Sequence, residues 1–588
     1  MTRINSVYPV LGATLLGLYT AVAQANTGAF AIEEVVVTAQ KRAQSLVDVP
    51  ASVQALTGSD LENAGIHNVE DLTALSPSLA LQDSMTPWQK SVYIRGVGTN
   101  VNSITVEPSV SAVLDGVVLA RQGQFFAELA DIERIEVLRG PQSTLFGKNA
   151  SAGVLSIVTK KPNLDETEGL IDVSYNEFDE LKLKGTYSAP INESMAYRLS
   201  GNFKDGGDSP IKNVNVDGPS LGGGEAYALR GKLLWDVSDD VEVLFSADYS
   251  QDQGPAGVRV FRQVASPAGV NQLQQGASQP IVAGEGNRAV SLNDKNDIEG
   301  EDWGLSAEVN WSWGEHDVTS ITAYRSWEMI NNIDIDSLGA DAAGLSLAPA
   351  LGGGIPYFRG RVYTEKQTNQ FSQELRLASN GAGDLQYVLG GFLWMMDLED
   401  TGGQSRDLCF AGGPLVPQLG VPCDQVVPVG NISPVALTQS ASSITQADTE
   451  YFALFGQADY LLNDEVTLTF GGRLQHETFE YDQRQLGVVE AGDVPFIGFE
   501  GRGKVSNTVF TGKAGIQYAL NDGSNTYFSY SRGYKGPGLN SGPFQPVDNK
   551  PLAGETVDAL ELGYQARLME GRFSLNPALF WQDFDDPQ

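Results

Sequence analysis

The chain has 588 residues, 73 Asp and Glu against 38 Lys and Arg for a formal charge of −35, with 65 glycines and 2 cysteines. That balance argues against a nucleic-acid binder, because phosphate neutralisation needs clustered Lys and Arg, and two thiols alone make a poor zinc site. Glycine above the usual ~7 % points to many turns and many strands.

The N-terminus reads as a secretory signal peptide. Arg3 gives a positive start, an apolar run covers 10–22, and Ala23-Gln24-Ala25 is a cleavage site, with Ala25 the last residue removed. The run is too short to cross a bilayer, and no later stretch approaches the ~18 apolar residues of a spanning helix. Helical insertion is thereby excluded and β-barrel insertion is not.

Residues 33–42, EEVVVTAQKR, spell a β-strand with no neighbouring strand to pair with it. Between 44 and 162 the pattern mixes short helices, with Asp60 and Asn68 as expected caps, and strands at 91–97, 110–114, 132–138 and 154–159. That is a small α+β domain.

From 168 onward the period changes to two. Val241, Val243, Phe245, Ala247 and Tyr249 share one face, while Glu242, Leu244, Ser246 and Asp248 share the other. Fifteen such strands are expected, with tight turns after the even-numbered ones, for example Ser238-Asp239 and Asn463-Asp464. Long connections follow odd-numbered strands at 253–301, 330–366 and 398–448. Sorting short turns to one end and long loops to the other is the signature of an outer-membrane barrel; a Greek-key sandwich has no reason to do it. Single-chain bacterial barrels close with even strand numbers, and the fifteenth strand ends where the chain does, so C-terminal strands are expected to be missing. Cys409 and Cys423 are expected to staple one loop, a disulfide worth roughly 3 kcal/mol.

Several stretches together resemble the TonB-dependent outer-membrane receptors. They are the EEVVVTA segment, Tyr93-Ile94-Arg95-Gly96, the run from Ile132 to Pro141 (IERIEVLRGP), Leu145-Phe146-Gly147, Ala152-Gly153, and Glu561-Leu562-Gly563-Tyr564 after Gly554-Glu555-Thr556. The resemblance implies a transmembrane β-barrel of roughly 22 strands, of which about fifteen are present here, with an N-terminal α+β plug domain in its lumen. The implied division is a signal peptide over 1–25, a periplasmic segment with the TonB box over 26–43, a plug over 44–162 and a barrel over 163–588. Glu34, Val35, Val36, Val37, Thr38 and Ala39 then form the TonB box, whose missing partner strand is supplied by TonB. The implied activity is transport, not enzymatic catalysis: TonB, powered by the inner-membrane proton gradient, pulls on the box and remodels the plug. No cofactor is implied. Outer-membrane lipid and a small-molecule metal chelate complete the expected partners.

Arg95 and Arg139 are expected to bind barrel carboxylates, with Glu561 one acceptor, or else simply to stabilise the plug. The chain departs from the family at Tyr530-Ser531-Arg532-Gly533-Tyr534-Lys535, where some members carry a second acid. The leading substrate is a ferric siderophore; cobalamin, a saccharide or an aromatic compound fits the same mechanism, and a passive porin is the rival of another class. The histidines are His67, His316 and His476; haem receptors of this family place one in the plug and another in an external loop, whereas His67 lies early in the plug and His476 late in a strand, so surface or packing roles are expected instead. Gly218-Pro219-Ser220-Leu221-Gly222 matches an esterase elbow without the strand and helix that motif needs, and Gly147-Lys148-Asn149 fails the phosphate-loop pattern. Phe261, Arg262, Tyr357, Phe358, Arg359 and Arg361 line a ligand vestibule or form an interfacial girdle.

Overall fold

The period-2 alternation over 168–585 folds into one antiparallel sheet of sixteen strands in chain order. In a computed structural model these are β1 (Glu168–Tyr175), β2 (Leu181–Asn192), β3 (Met195–Asp205), β4 (Glu225–Ser238), β5 (Val241–Pro255), β6 (Asp297–Trp313), β7 (His316–Asp334) and β8 (Phe358–Ser379). They continue as β9 (Leu385–Phe410), β10 (Val435–Asn463), β11 (Val466–Val489), β12 (Val494–Asn521), β13 (Ser524–Lys535), β14 (Glu555–Leu568), β15 (Phe573–Leu575) and β16 (Ala578–Asp585). The last two are one strand in two pieces, both paired with β14 and separated by Asn576-Pro577, since proline cannot donate to a ladder. Among the described residues no ladder joins β1 to β16. The structure describes residues 36–588 other than 67, 83, 85, 87–88, 100–102, 126–130, 216–217, 264–280, 335–357, 411–434, 490–493, 522, 542–549 and 570–571.

Turns of two to five residues link β2 to β3, β4 to β5, and so on to β12 and β13, all at one end of the sheet. The long connections at the other end are shorter than expected. β7 runs to Asp334 and β8 starts at Phe358; β9 runs to Phe410 and β10 starts at Val435. Hydrophobic alternation stops where the outward face leaves the apolar band, but the ladder continues, because backbone pairing needs no apolar side chain.

Within the band the outward face is apolar: Leu199, Leu229, Phe245, Leu305, Leu375, Leu454, Phe470 and Phe510 are 44–63 % exposed. The alternate, inward positions are polar and buried, among them Arg198, Lys232, Glu374, Gln457 and Arg473. Such a wall is stable only with lipid outside and protein or water inside. Above the band, outward positions turn acidic, with Asp397, Asp448 and Glu480 side by side across β9, β10 and β11.

The plug domain has a five-stranded sheet in the order 53–57, 132–139, 153–159, 110–114, 117–119, with the strands at 153–159 and 110–114 parallel. Leu72, Val92, Ile135, Val137 and Leu155 form its core. Strands Val53–Thr57, Leu79–Gln82 and Val117–Leu119 are additions to those expected, being too short for periodicity to register. One expected cap is corrected. The helix Gly58–Asn63 is capped by Thr57, and Asp60 is its third residue, accepting from Thr57 N at 2.9 Å in a capping box. Asn68 does accept from Asp71 N at 2.9 Å, at the start of a short 3-10 turn, Glu70–Ala74.

A second apolar cluster seals the plug against the wall. Ile104 and Ala120 of the plug pack with Trp327, Met329, Trp394, Met396, Tyr451 and Phe479 of β7, β9, β10 and β11.

Candidate functional site

The expectation of an unpartnered N-terminal strand is overturned. Val36 and Val37 pair antiparallel with Ser45 and Gln44 of the same chain, closing a two-rung hairpin. Valines form the first arm by propensity, whereas Gln44-Ser45 carries no strand signal and is recruited by position. Val37 and Ala39 are buried with Val49, Val53, Leu138 and Val154, while Val36 stays half exposed. Thr38 is tied to the plug: its N–H donates to Glu136 Oε1 at 2.9 Å, and Arg134 Nε holds the same oxygen at 2.8 Å.

Lys41 and Arg42 bind the wall instead. Lys41 Nζ lies 2.6 Å from Glu374 of β8, and Arg42 Nη2 lies 2.5 Å from Asp459 of β10. Burial, only partly offset by Glu374, brings the Lys41 ammonium down to about 8. Because Glu136 gathers Thr38 and Arg134 at once, Glu136→Gln removes a charged acceptor from both, a loss of about 2 kcal/mol. The expected outcome is a more mobile N-terminal strand, read as a narrower spin-label spectrum from a label at position 36 than in the same labelled protein with Glu136.

Elsewhere on the wall, Arg95 Nη2 lies 2.6 Å from Glu561 Oε2 of β14, and its guanidinium sits 4.0 Å from the Phe580 ring centroid. Glu561 also accepts from Tyr527 OH at 2.7 Å and from Ser52 N at 3.1 Å. Arg139 is placed differently from Arg95: it donates to Ser78 Oγ at 2.6 Å, Gln54 Oε1 at 2.5 Å and Ser52 Oγ at 3.4 Å, all within the plug. Arg95→Met leaves Glu561 two donors, so a loss of about 2 kcal/mol is expected, in the range for a hydrogen bond to a charged group. Chemical denaturation of the detergent-solubilised protein measures it.

The strongest link between plug and wall comes from Lys148, a residue with no expected role beyond a failed phosphate-loop match. Lys148, buried, joins Glu477 of β11 and stands 3.3 Å from Glu107 of the plug, which Asn149 also engages. Arg121 approaches Glu107 at 3.6 Å, and the Trp394 ring lies 4.5 Å from Lys148 Nζ. Burial opposes charge on Glu107, but Lys148 and Arg121 prevail and keep its carboxyl below the usual range. The preceding Gly147 has φ +83, and a Cβ there would sit 2.9 Å from Arg473 Nη2 and 3.1 Å from Tyr451 OH. Wall residues Tyr534 and Lys535 also reach the plug, Tyr534 N donating to Ser143 Oγ at 3.0 Å and Lys535 Nζ to Thr99 Oγ1 at 2.9 Å. The stretch that lacks the second acid thus clamps by other means.

The remaining candidates scatter. His316 stands at a short turn against Tyr387 and Trp313, and His476 faces outward onto Thr508. Arg262 donates to Glu285 O and Arg361 lies 3.4 Å from Asp294. Ser220 is exposed and followed by glycines leading into β4. Ala25, Glu34, Val35, His67, Tyr357 and Cys423 lie outside the described residues, as do the side chains of Phe358, Arg359 and Cys409, and with them the disulfide.

Residues 235–588 match the family model described as TonB dependent receptor-like, beta-barrel, and residues 45–154 match the TonB-dependent Receptor Plug Domain. The chain belongs to the TonB-dependent receptors. As a member it is a Gram-negative outer-membrane protein, so the short turns are periplasmic and the long connections external. This receptor is 25 % identical over 600 residues to the pesticin receptor of Yersinia pestis, covering 100 % of this chain and 75 % of that protein. It is 25 % identical over 306 residues to a probable TonB-dependent siderophore receptor of Acinetobacter baumannii, 48 % of this chain and 38 % of that one. Among solved structures it resembles the ferric yersiniabactin uptake receptor of Yersinia pestis, with TM-score 0.70 and 21 % identity over 92 % of this chain and 73 % of that one. It also resembles the closed form of the ferric-catecholate import receptor of E. coli K12, with TM-score 0.67 and 15 % identity over 94 % and 76 %.

Proposed function

We propose that this receptor imports a ferric siderophore across the outer membrane, driven by TonB acting on Glu34, Val35, Val36, Val37, Thr38 and Ala39. The observation that carries the coupled mechanism is the plug clamp. Bonds to β3, β4, β6, β8, β11, β13 and β14 surround the plug, and Arg42 ties the segment before it to β10, so passage requires that it move. The outer membrane holds no ATP and no sustained ion gradient, so that motion needs work from elsewhere. The relatives' names supply the substrate class, and a chelator that already satisfies its iron asks the wall for shape and charge rather than for metal ligands.

The test is gene-dependent accumulation of 55Fe from a panel of siderophores in the native host, with and without a protonophore, alongside the abundance of the protein under iron limitation. Energy-dependent uptake of at least one chelate and induction by iron limitation are expected. Gene-dependent uptake of cobalamin, a saccharide or an aromatic compound, with none of iron, would replace the substrate class. Uptake indifferent to the protonophore, with open conductance in bilayers, would replace active transport by a porin.

A further inference from the structure

In a chain of charge −35, the inward positions of β2, β3 and β4 run against the average. They carry Lys182, Lys184, Arg198, Lys204, Arg230 and Lys232, and their one acid is Asp236 beside a periplasmic turn. Inwardness follows from the alternation: Leu183, Tyr187, Leu199, Leu229 and Trp235 point out and are exposed. Cross-strand pairing sets like charges face to face, Lys182 opposite Lys204 and Arg198 opposite Lys232, an arrangement that costs stability unless answered.

Part of the answer comes from the plug. Asp131 grips Arg198 with two bonds of 2.6 Å, and Asp115 lies 3.0 Å from Lys232. Glu168 and Glu180, on the wall itself, take the outer side of Arg198, Lys182 and Lys204, and Asp172 stands opposite Lys184. The two ends of the array open into cavities. Asn202 and Lys204 line an external one of about 120 Å³ between wall and plug, across from Asp252, Glu301 and Asp302, and Lys232 lines a periplasmic one of about 760 Å³ where Lys41, Arg42, Arg134, Lys161 and Arg376 outnumber Asp115, Glu133, Glu308 and Asp317.

We propose that the inward faces of β2, β3 and β4 are a basic track that passes an anionic cargo from the external to the periplasmic cavity once the plug withdraws Asp115 and Asp131. The proposal rests on the siderophore reading for the cargo, whose carboxylate or phenolate oxygens take the places those two carboxylates vacate. The cations are spread over four successive rows about 7 Å apart, less than a physiological Debye length of ~8 Å, so an anion leaving one row already feels the next.

Lys184→Gln/Arg230→Gln removes the two middle steps, Lys184 opposite Asp172 and Arg230 opposite Asp248, with Arg230 also lending its field to Asp115. In cells, surface binding of an anionic 55Fe chelate is expected to stay within about twofold of wild type while its uptake falls about fivefold, roughly 1 kcal/mol of barrier. Lys184→Arg/Arg230→Lys is expected to restore uptake, which separates charge from folding. Purified full-length protein in a planar bilayer, its plug loosened by urea, gives a reading independent of the chelate: the Gln variant should shift the reversal potential in a KCl gradient towards cation selectivity. Unchanged uptake in the Gln variant, or an unchanged reversal potential, overturns the track. If wild type imports no chelate but the reversal potential shifts, the cargo assignment falls and the track stands.

Discussion

Val36→Pro is expected to abolish energised uptake while leaving the surface affinity for cargo unchanged. Val36 and Val37 hold only two rungs with Ser45 and Gln44, and a hairpin of that size is marginal by itself. An incoming TonB strand need displace only this short partner, and its gain is a longer ladder along the same edge. Proline at 36 removes a backbone donor and fixes φ, so the new ladder loses a rung at its centre. Cargo arriving from outside is expected to bind at the external end, far from this segment. Val36→Ile, which keeps strand propensity, should behave as wild type. Normal uptake by the proline variant would refute strand addition at this site.

Lys148→Met is expected to have the largest effect on plug retention. It removes the cation between Glu107 and Glu477, both buried, leaving Glu107 with Asn149 and the more distant Arg121, and Glu477 with the Tyr534 hydroxyl at 3.4 Å. Removing one partner of a buried pair typically costs 3–5 kcal/mol, and here it also sets two carboxylates in mutual repulsion. The readouts are sensitivity of cells to a bulky antibiotic that the closed outer membrane excludes, and spontaneous conductance of the purified protein. Both should rise sharply. Adding Glu107→Gln and Glu477→Gln to Lys148→Met should recover most of the closure, because neutral amides can bond to each other and to Asn149. Equal leak in the single and triple variants would show that the ion network does not hold the plug.

The barrel was legible because lipid imposes a strict period on one face of every strand, as in Val241 to Tyr249. That legibility ended at the edge of the apolar band: outward positions such as Glu399 on β9 and Ser442, Gln446 and Asp448 on β10 are polar and exposed, so the hydrophobic alternation stops there. Tertiary pairings were invisible for a different reason. Gln44-Ser45 has no intrinsic reason to be a strand until Val36-Val37 lies beside it. Lys148 reads as a failed phosphate loop until folding brings Glu107 and Glu477 from 41 and 329 residues away. The one available signal was a lone lysine in a plug stretch, Leu145 to Val154, otherwise made of small and apolar residues. Arg95 was readable, since its motif carries the family resemblance; the bonding of Arg139 was not, because Ser78 and Gln54 approach it only in the folded plug.

The ladder's continuation above the apolar band bears on how this cell surface is seen from outside. β10 rises from Glu450 to Val435 as paired strand, roughly 40 Å of height for a tilted strand. That stiff palisade stands among the sugars of the outer leaflet instead of lying on them. Its antigenic face is therefore assembled from neighbouring strands, and antisera raised against linear peptides from 398–410 or 435–450 should bind the denatured protein but not intact cells.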